Sequence, residues 1–254
     1  MRAFVRGAVF LLAFIPAADA GMAVMPHSRA LVIGNAGYAA QPLRNAAGDA
    51  RAVADRLEAL GFAVTAQADA TAAAMNAAIG TFAGEIGEGD DVVVYYVGHG
   101  VRLRGIDLLV PVDADLASDN LESVLLLGGG VPVDTVVRLL AGRGARTTLV
   151  MLDTNFVETS AVGGRWPVRP ATLEPGMVVS LAAEPGTFAQ DGPAGGRGPY
   201  TAALLAALDE PGLTVRQILA RVADGVRGLT GGNQRPVADG RASPQTVLYR
   251  RLER

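Results

Sequence analysis

Seven consecutive residues, Asp91 to Val97 (DVVVYYV), constrain this 254-residue chain more than any other feature. A strand with one face in water alternates apolar and polar side chains. This run does not alternate, so it needs a sheet that is covered on both faces. Sheets buried in that way are mainly parallel, and their strands are joined by helices that lie across the faces. Half the residues are hydrophobic, enough for a core of that kind.

The flanking pattern agrees. Arg29 to Gly34 (RALVIG), Phe62 to Thr65, Thr147 to Leu152 (TTLVML) and Met177 to Ala183 read as further buried strands, and Gln245 to Tyr249 as a last one. Ala46 to Leu60 places Ala50, Val53, Ala54 and Leu57 at helical spacing, and Gly61 stops it. Thr71 to Ile86 has Met75, Ile79, Phe82 and Ile86 on one face. Val133 to Leu140, Tyr200 to Leu208 and Val215 to Val226 are also helical, and Leu103 to Val110 reads as a hairpin turning at Arg104-Gly105. This β-α-β-α order predicts one α/β domain with a mainly parallel six-stranded sheet and helices on both faces. Two long loops, Phe156 to Pro175 and Phe188 to Pro199, are expected to be functional or disordered.

Composition removes several chemistries. There is no cysteine, so no disulfide, thiolate metal site or thiol nucleophile can form. Only two histidines exist, His27 and His99, and a His-rich metal site is excluded. Net charge is −3, which gives no broad attraction to nucleic acid. The first 20 residues read as an export signal. Arg2 and Arg6 precede a short apolar run, Ala8 to Ile15, and Ala18-Asp19-Ala20 offers a small-x-small cleavage site before Gly21. The run is short of the ~20 residues that span a bilayer, so the mature protein is expected in the periplasm or secreted, with no stable membrane insertion.

In open parallel sheets, ligands bind beyond the carboxyl ends of the strands. Gly98-His99-Gly100 follows the third strand and Asp153-Thr154-Asn155 follows the fourth. If those strands are neighbours, both tripeptides share a rim. A histidine between glycines there suits a general base, or it is satisfied by local backbone bonds.

Several stretches together resemble the caspase and metacaspase family, bacterial members included. They are ALVIGNAGY (Ala30 to Tyr38), LRNAAGDARAVADRLEALGF (Leu43 to Phe62), DDVVVYYVGHG (Asp90 to Gly100), LLVPVDA (Leu108 to Ala114), VMLDTN (Val150 to Asn155), GPYTAALLAAL (Gly198 to Leu208) and GGNQRP (Gly231 to Pro236). The resemblance implies a caspase-like fold over about residues 28–250, with a large-subunit-like part to about 156 and a small-subunit-like part from about 176.

It also implies site residues. The histidine of Gly-His-Gly pairs in that family with a cysteine at the end of the next strand, which places Asn155 at the nucleophile's position. A carboxamide nitrogen has its lone pair delocalised and is no substitute for a thiolate. By resemblance Gly100 offers an oxyanion N–H. Asp153 matches the metacaspase acid that receives basic P1 side chains; its other reading is a capping carboxylate. Arg44 lies where caspases keep an arginine for acidic P1 residues; its other reading is an ordinary surface arginine. The two residues point to opposite specificities.

The resemblance thus implies an exported pseudo-peptidase that binds peptide or protein partners through a retained cleft. The alternatives are a hydrolase with an unusual nucleophile, for which Thr154 and Ser180 are the nearby hydroxyls, and a purely structural module. Thr154 should face away from His99, whereas Ser180 can face the rim. No cofactor is expected. Calcium, which metacaspases often use, would have to be held by Asp113, Asp115, Asp119 and Glu122, whose spacing reads instead as a solvated acidic loop. VIGNAGY lacks a phosphate-binding pattern. Arg165 and Arg169 in the first long loop are potential cleavage points for another protease. His27 has no assigned role.

Overall fold

The structure, a computed structural model, describes residues 27–154, 156, 173–184, 187–242 and 246–248. In chain order the elements are β1 (Ser28–Gly34), α1 (Ala46–Ala59), β2 (Ala63–Ala68), α2 (Ala72–Glu85), β3 (Asp91–Val97), β4 (Gly100–Leu103), β5 (Ile106–Leu109) and a short α3 (Leu121–Val124). They continue with β6 (Val131–Pro132), α4 (Val133–Leu140), β7 (Thr147–Asp153), β8 (Met177–Leu181), α5 (Pro199–Asp209), α6 (Val215–Leu229) and β9 (Val237–Gly240).

The unbroken apolar run does what its composition demands. All seven residues of β3 are buried in the middle of a six-stranded sheet ordered β2-β1-β3-β7-β8-β9. Its neighbours β1 and β7 are both parallel to it. Val93, Tyr95 and Val97 point into one core, packed by α1, α5 and α6. Val92, Val94 and Tyr96 point into the other, packed by α2 and α4. The period of two within a strand is what divides the run between the layers. Tyr95 and Tyr96 are fully buried, so their hydroxyls must be hydrogen-bonded inside the protein. Those two bonding networks lie at the heart of the site described below.

The helices follow their stripes. In α1, Ala46, Ala50, Val53, Ala54 and Leu57 face the sheet. Gly34 of β1 lets that helix come close: a Cβ there would lie 2.4 Å from the Ala50 Cβ. α2 starts on the Thr71 hydroxyl, which accepts from Ala74 N–H at 3.2 Å. α6 starts on a reciprocal Thr214–Gln217 capping box. Asn45 stands at the N-cap of α1 but its side chain makes no cap bond. It reaches instead to residues 191 and 193, almost 150 positions away.

A second, three-stranded sheet, ordered β4-β5-β6, stands beside the main one. The predicted hairpin turn is present, with Arg104 and Gly105 both at positive φ (51° and 79°), the conformation a two-residue turn requires. Its first strand begins at Gly100, earlier than the pattern suggests.

One expectation needs correction. The strand that borders β8 in the main sheet is Val237–Gly240, antiparallel to it; of the expected strand Gln245 to Tyr249, both end residues lie outside the described residues. Of the latter segment, Val247 makes one isolated bridge to Thr214. The helical turns around Leu121 to Gly129 and the short β6 were not anticipated. The LLLGGG stretch there fits neither helix nor strand period, and Gly128 turns the chain at φ 115°.

Candidate functional site

Register brings the predicted rim together. Gly34 of β1 lies opposite Val97 of β3, Val97 opposite Asp153 of β7, and Leu152 opposite Leu181 of β8. Gly98-His99-Gly100 and Asp153-Thr154 therefore leave adjacent strands at one edge. Gly98 N–H points to the Asp153 carbonyl at 3.5 Å. Asn155 lies outside the described residues, as do Arg165 and Arg169.

His99 is held by two tyrosines whose hydroxyls lie 3.3 Å apart. Its N–H donates to the Tyr38 hydroxyl at 2.9 Å, and its carbonyl accepts from the Tyr96 hydroxyl at 2.7 Å. The Tyr38 O–H in turn donates to the Val110 carbonyl at 2.9 Å. Burial pushes the Tyr38 hydroxyl up to about 12 and Tyr96 well above its ordinary value, so both remain neutral donors. Gly98 is required here: a Cβ would sit 2.5 Å from the Tyr96 hydroxyl and 2.8 Å from that of Tyr38.

The imidazole is positioned as well. The Tyr38 ring lies 4.5 Å from it, tilted by 51°. Nε2 lies 2.7 Å from the main-chain carbonyl oxygen of Gln41. A carbonyl can only accept, so Nε2 is the donor, and the tautomer that keeps this bond in a neutral ring has its lone pair on Nδ1. Gln41 adopts φ 58°, an uncommon conformation for a residue with a Cβ. Of the two alternatives weighed for His99, the contact to Gln41 is the kind of main-chain bond that the second describes.

Gly100 opens β4. Val110 N–H donates to the His99 carbonyl at 3.0 Å, while Gly100 lies opposite Leu109. In an antiparallel ladder the bonded and non-bonded pairs alternate, so the Gly100 N–H is directed away from β5. It stands on the free edge of that ladder.

A profile of the caspase domain matches residues 27–246. The chain belongs to the caspase-domain family. No curated protein matches it.

Beside the histidine of this caspase domain lies an acidic site. Asp153, the last residue of β7, is buried beneath α5. Its Oδ2 accepts from the Thr201 hydroxyl at 2.9 Å, and that hydroxyl is 2.7 Å from the Tyr95 hydroxyl. The Tyr95 hydroxyl also stands 3.3 Å from the same Oδ2, so Thr201 and Tyr95 both offer it an O–H. Asp49 of α1 closes on the same place. Its Oδ2 accepts the Gly198 N–H at 2.9 Å. A Cβ at Gly198 would lie 3.1 Å from Asp49 Oδ2 and 3.6 Å from Asp153 Oδ2, so both carboxylates face one glycine. Burial, which disfavours a bare carboxylate, raises Asp49 to about 6 and Asp153 to about 7. Gly198, Arg197 and Thr201 work against the rise at Asp49, and Thr201 and Tyr95 against it at Asp153, whereas the charge of Asp191 adds to both and that of Asp49 adds to Asp153.

Asp49 was missed from sequence, where it reads as an ordinary acid in the first turn of a helix. Arg44 is exposed, and its backbone N–H donates to the Asp191 carboxylate at 2.9 Å. Ser180 does not face the rim. It sits opposite Met151, inside the sheet, and its hydroxyl pairs with that of Tyr200 at 2.8 Å. Thr154 is buried, and its hydroxyl has no partner among the described residues.

The acidic loop is used piecemeal. Asp113 caps α2 through the Ala72 N–H at 2.9 Å, Asp115 accepts from Ala117 N–H at 3.1 Å, and Glu122 pairs with Arg104. Among the described residues, no cluster of three or more acidic or histidine side chains is arranged to hold a metal ion. Nor is any described helix long and apolar enough to cross a membrane.

Proposed function

We propose that this caspase-domain protein binds peptides through a basic side chain and does not cleave them. The observation that carries the reading is the pair of buried carboxylates, Asp49 and Asp153, converging on Gly198 at the rim that bears His99. Two acids held in low dielectric are poorly solvated and gain strongly from a guanidinium, whose planar fork matches carboxylate oxygens. This favours Asp153 over Arg44 as the specificity residue. Arg44 projects into solvent and offers an acidic side chain nothing beyond a screened surface charge.

Cleavage is a separate matter. A peptide carbonyl needs an attacking group, and in this family the residue that supplies it is a cysteine. The chain has none, and by its resemblance Asn155 takes that position. His99 and the Gly100 N–H would then present a polar cleft that holds a carbonyl in place. The N-terminal 20 residues, read as a signal, would deliver the protein to the periplasm or beyond.

Hydrolysis of a mixed peptide library, followed by mass spectrometry, tests the first part. No product is expected from wild type. Product that vanishes in His99→Ala would establish a working hydrolase and overturn the reading.

A further inference from the structure

Asp49 has an unfilled acceptor. Its side chain is 2% exposed, and Oδ2 is bonded to Gly198, yet Oδ1 has no hydrogen-bond partner among the described residues. A buried carboxylate oxygen without a donor is costly to the fold. Among the described residues the cation that pairs with it is the chain's own Arg197, whose Nη1 stands 3.8 Å away, beyond hydrogen-bond reach. The same nitrogen lies 3.5 Å from the Gly48 carbonyl.

Arg197 is carried by a short strap. Asp191 anchors one end on the start of α1, accepting from the backbone N–H groups of Arg44 at 2.9 Å and Asn45 at 3.3 Å. The Asn45 side chain donates to the carbonyls of Asp191 and Pro193. Gly198 anchors the other end on Asp49. Between them residues 193–197 are exposed. Gly192 and Gly195 adopt φ 78° and 72°, so the bends of the strap depend on glycine. A Cβ at Gly192 would come within 2.1 Å of the Arg197 carbonyl oxygen, which folds the strap back on itself.

We propose that the Asp191–Gly198 strap holds Arg197 over Asp49 as a resident cation, which the basic side chain of a bound peptide must displace. The inference rests on the reading of the acidic pair as the peptide site. The contact is built to be exchanged. The Arg197 side chain is 44% exposed, so its attraction to Asp49 is largely screened, and at 3.8 Å it leaves the acceptor unsatisfied. A ligand guanidinium that reached Oδ1 at hydrogen-bond distance would do what Arg197 does not. Self-occupation would also weaken the site toward stray cations.

The test is calorimetric titration of an arginine-containing peptide, and of its citrulline counterpart, into full-length wild type and Arg197→Gln. Arg197 lies on the surface, so the variant is expected to melt at the wild-type temperature. Removal of the resident charge is expected to tighten the arginine peptide about three- to tenfold, with no change for citrulline. Equal or weaker binding of the arginine peptide by the variant would overturn the strap inference while leaving the acidic site standing. Failure of both proteins to prefer arginine over citrulline would overturn the acidic site, and the strap with it.

Discussion

The backbone N–H of His99 donates to the Tyr38 hydroxyl at 2.9 Å, and the two rings lie 4.5 Å apart. The tyrosine comes from the loop after β1 and the histidine from the turn after β3, so this contact ties the two segments together. Tyr38→Phe keeps the ring contact and removes the hydroxyl. It leaves the His99 N–H and the Val110 carbonyl without that partner, in a region where Tyr38 itself is 3% exposed. Destabilisation of about 1–3 kcal/mol is expected, read as a lower midpoint in urea unfolding with an unchanged slope. A midpoint equal to wild type would show that water replaces the hydroxyl at no cost.

Asn155→Cys is expected to regain weak cleavage, because the imidazole is oriented by Gln41 and the Gly100 N–H faces away from β5. Cleavage should follow arginine and not aspartate, since the acidic pair, and not Arg44, lies in a buried setting. The second substitution His99→Ala should abolish it. Mass spectrometry of the peptides checks both outcomes. A folded Asn155→Cys protein inert on all peptides would mean that the cleft has lost more than its nucleophile.

The buried acids make stability depend on pH in an unusual direction. Burial raises Asp49 to about 6 and Asp153 to about 7, above the ordinary value of 3.8. Between about pH 4 and 7 the folded state therefore holds more protons than the unfolded chain, and stability falls as pH rises through that window. Asp153→Asn mimics the protonated acid. It should stabilise the protein at pH 8 on the order of 2–4 kcal/mol and by far less at pH 4, as judged by unfolding at the two pH values. An equal effect at both would show that Asp153 is not held against ionisation.

Much of this could be read before any coordinates. An unalternating seven-residue strand forced a covered sheet, and helical spacing in residues 46–60 and 133–140 located helices to within a residue or two. Glycines around His99 and the acid ending β7 marked the rim. What escaped was whatever depended on a distant partner. Asp49 meets Gly198 across 149 residues, and nothing in the local pattern of α1 distinguishes it from a solvated acid. Gln41 acts through its main-chain carbonyl, which carries no side-chain signature. The sixth strand, with the burial pattern half-buried, exposed, half-buried, exposed, is a strand only because β8 pairs with it. Ser180 looked available because a strand's sequence does not say how far from the rim a residue ends; its register with Met151 does.

Peptide binding to the acidic pair at pH 8 is the most direct test of the account. Isothermal titration should find an arginine peptide bound at least about tenfold more tightly than its citrulline counterpart, a difference of ~1.4 kcal/mol. That preference should vanish in the Asp49→Asn/Asp153→Asn double variant, and the peptide should be recovered intact. Equal affinity for the two peptides, or a preference that survives in the double variant, would contradict it.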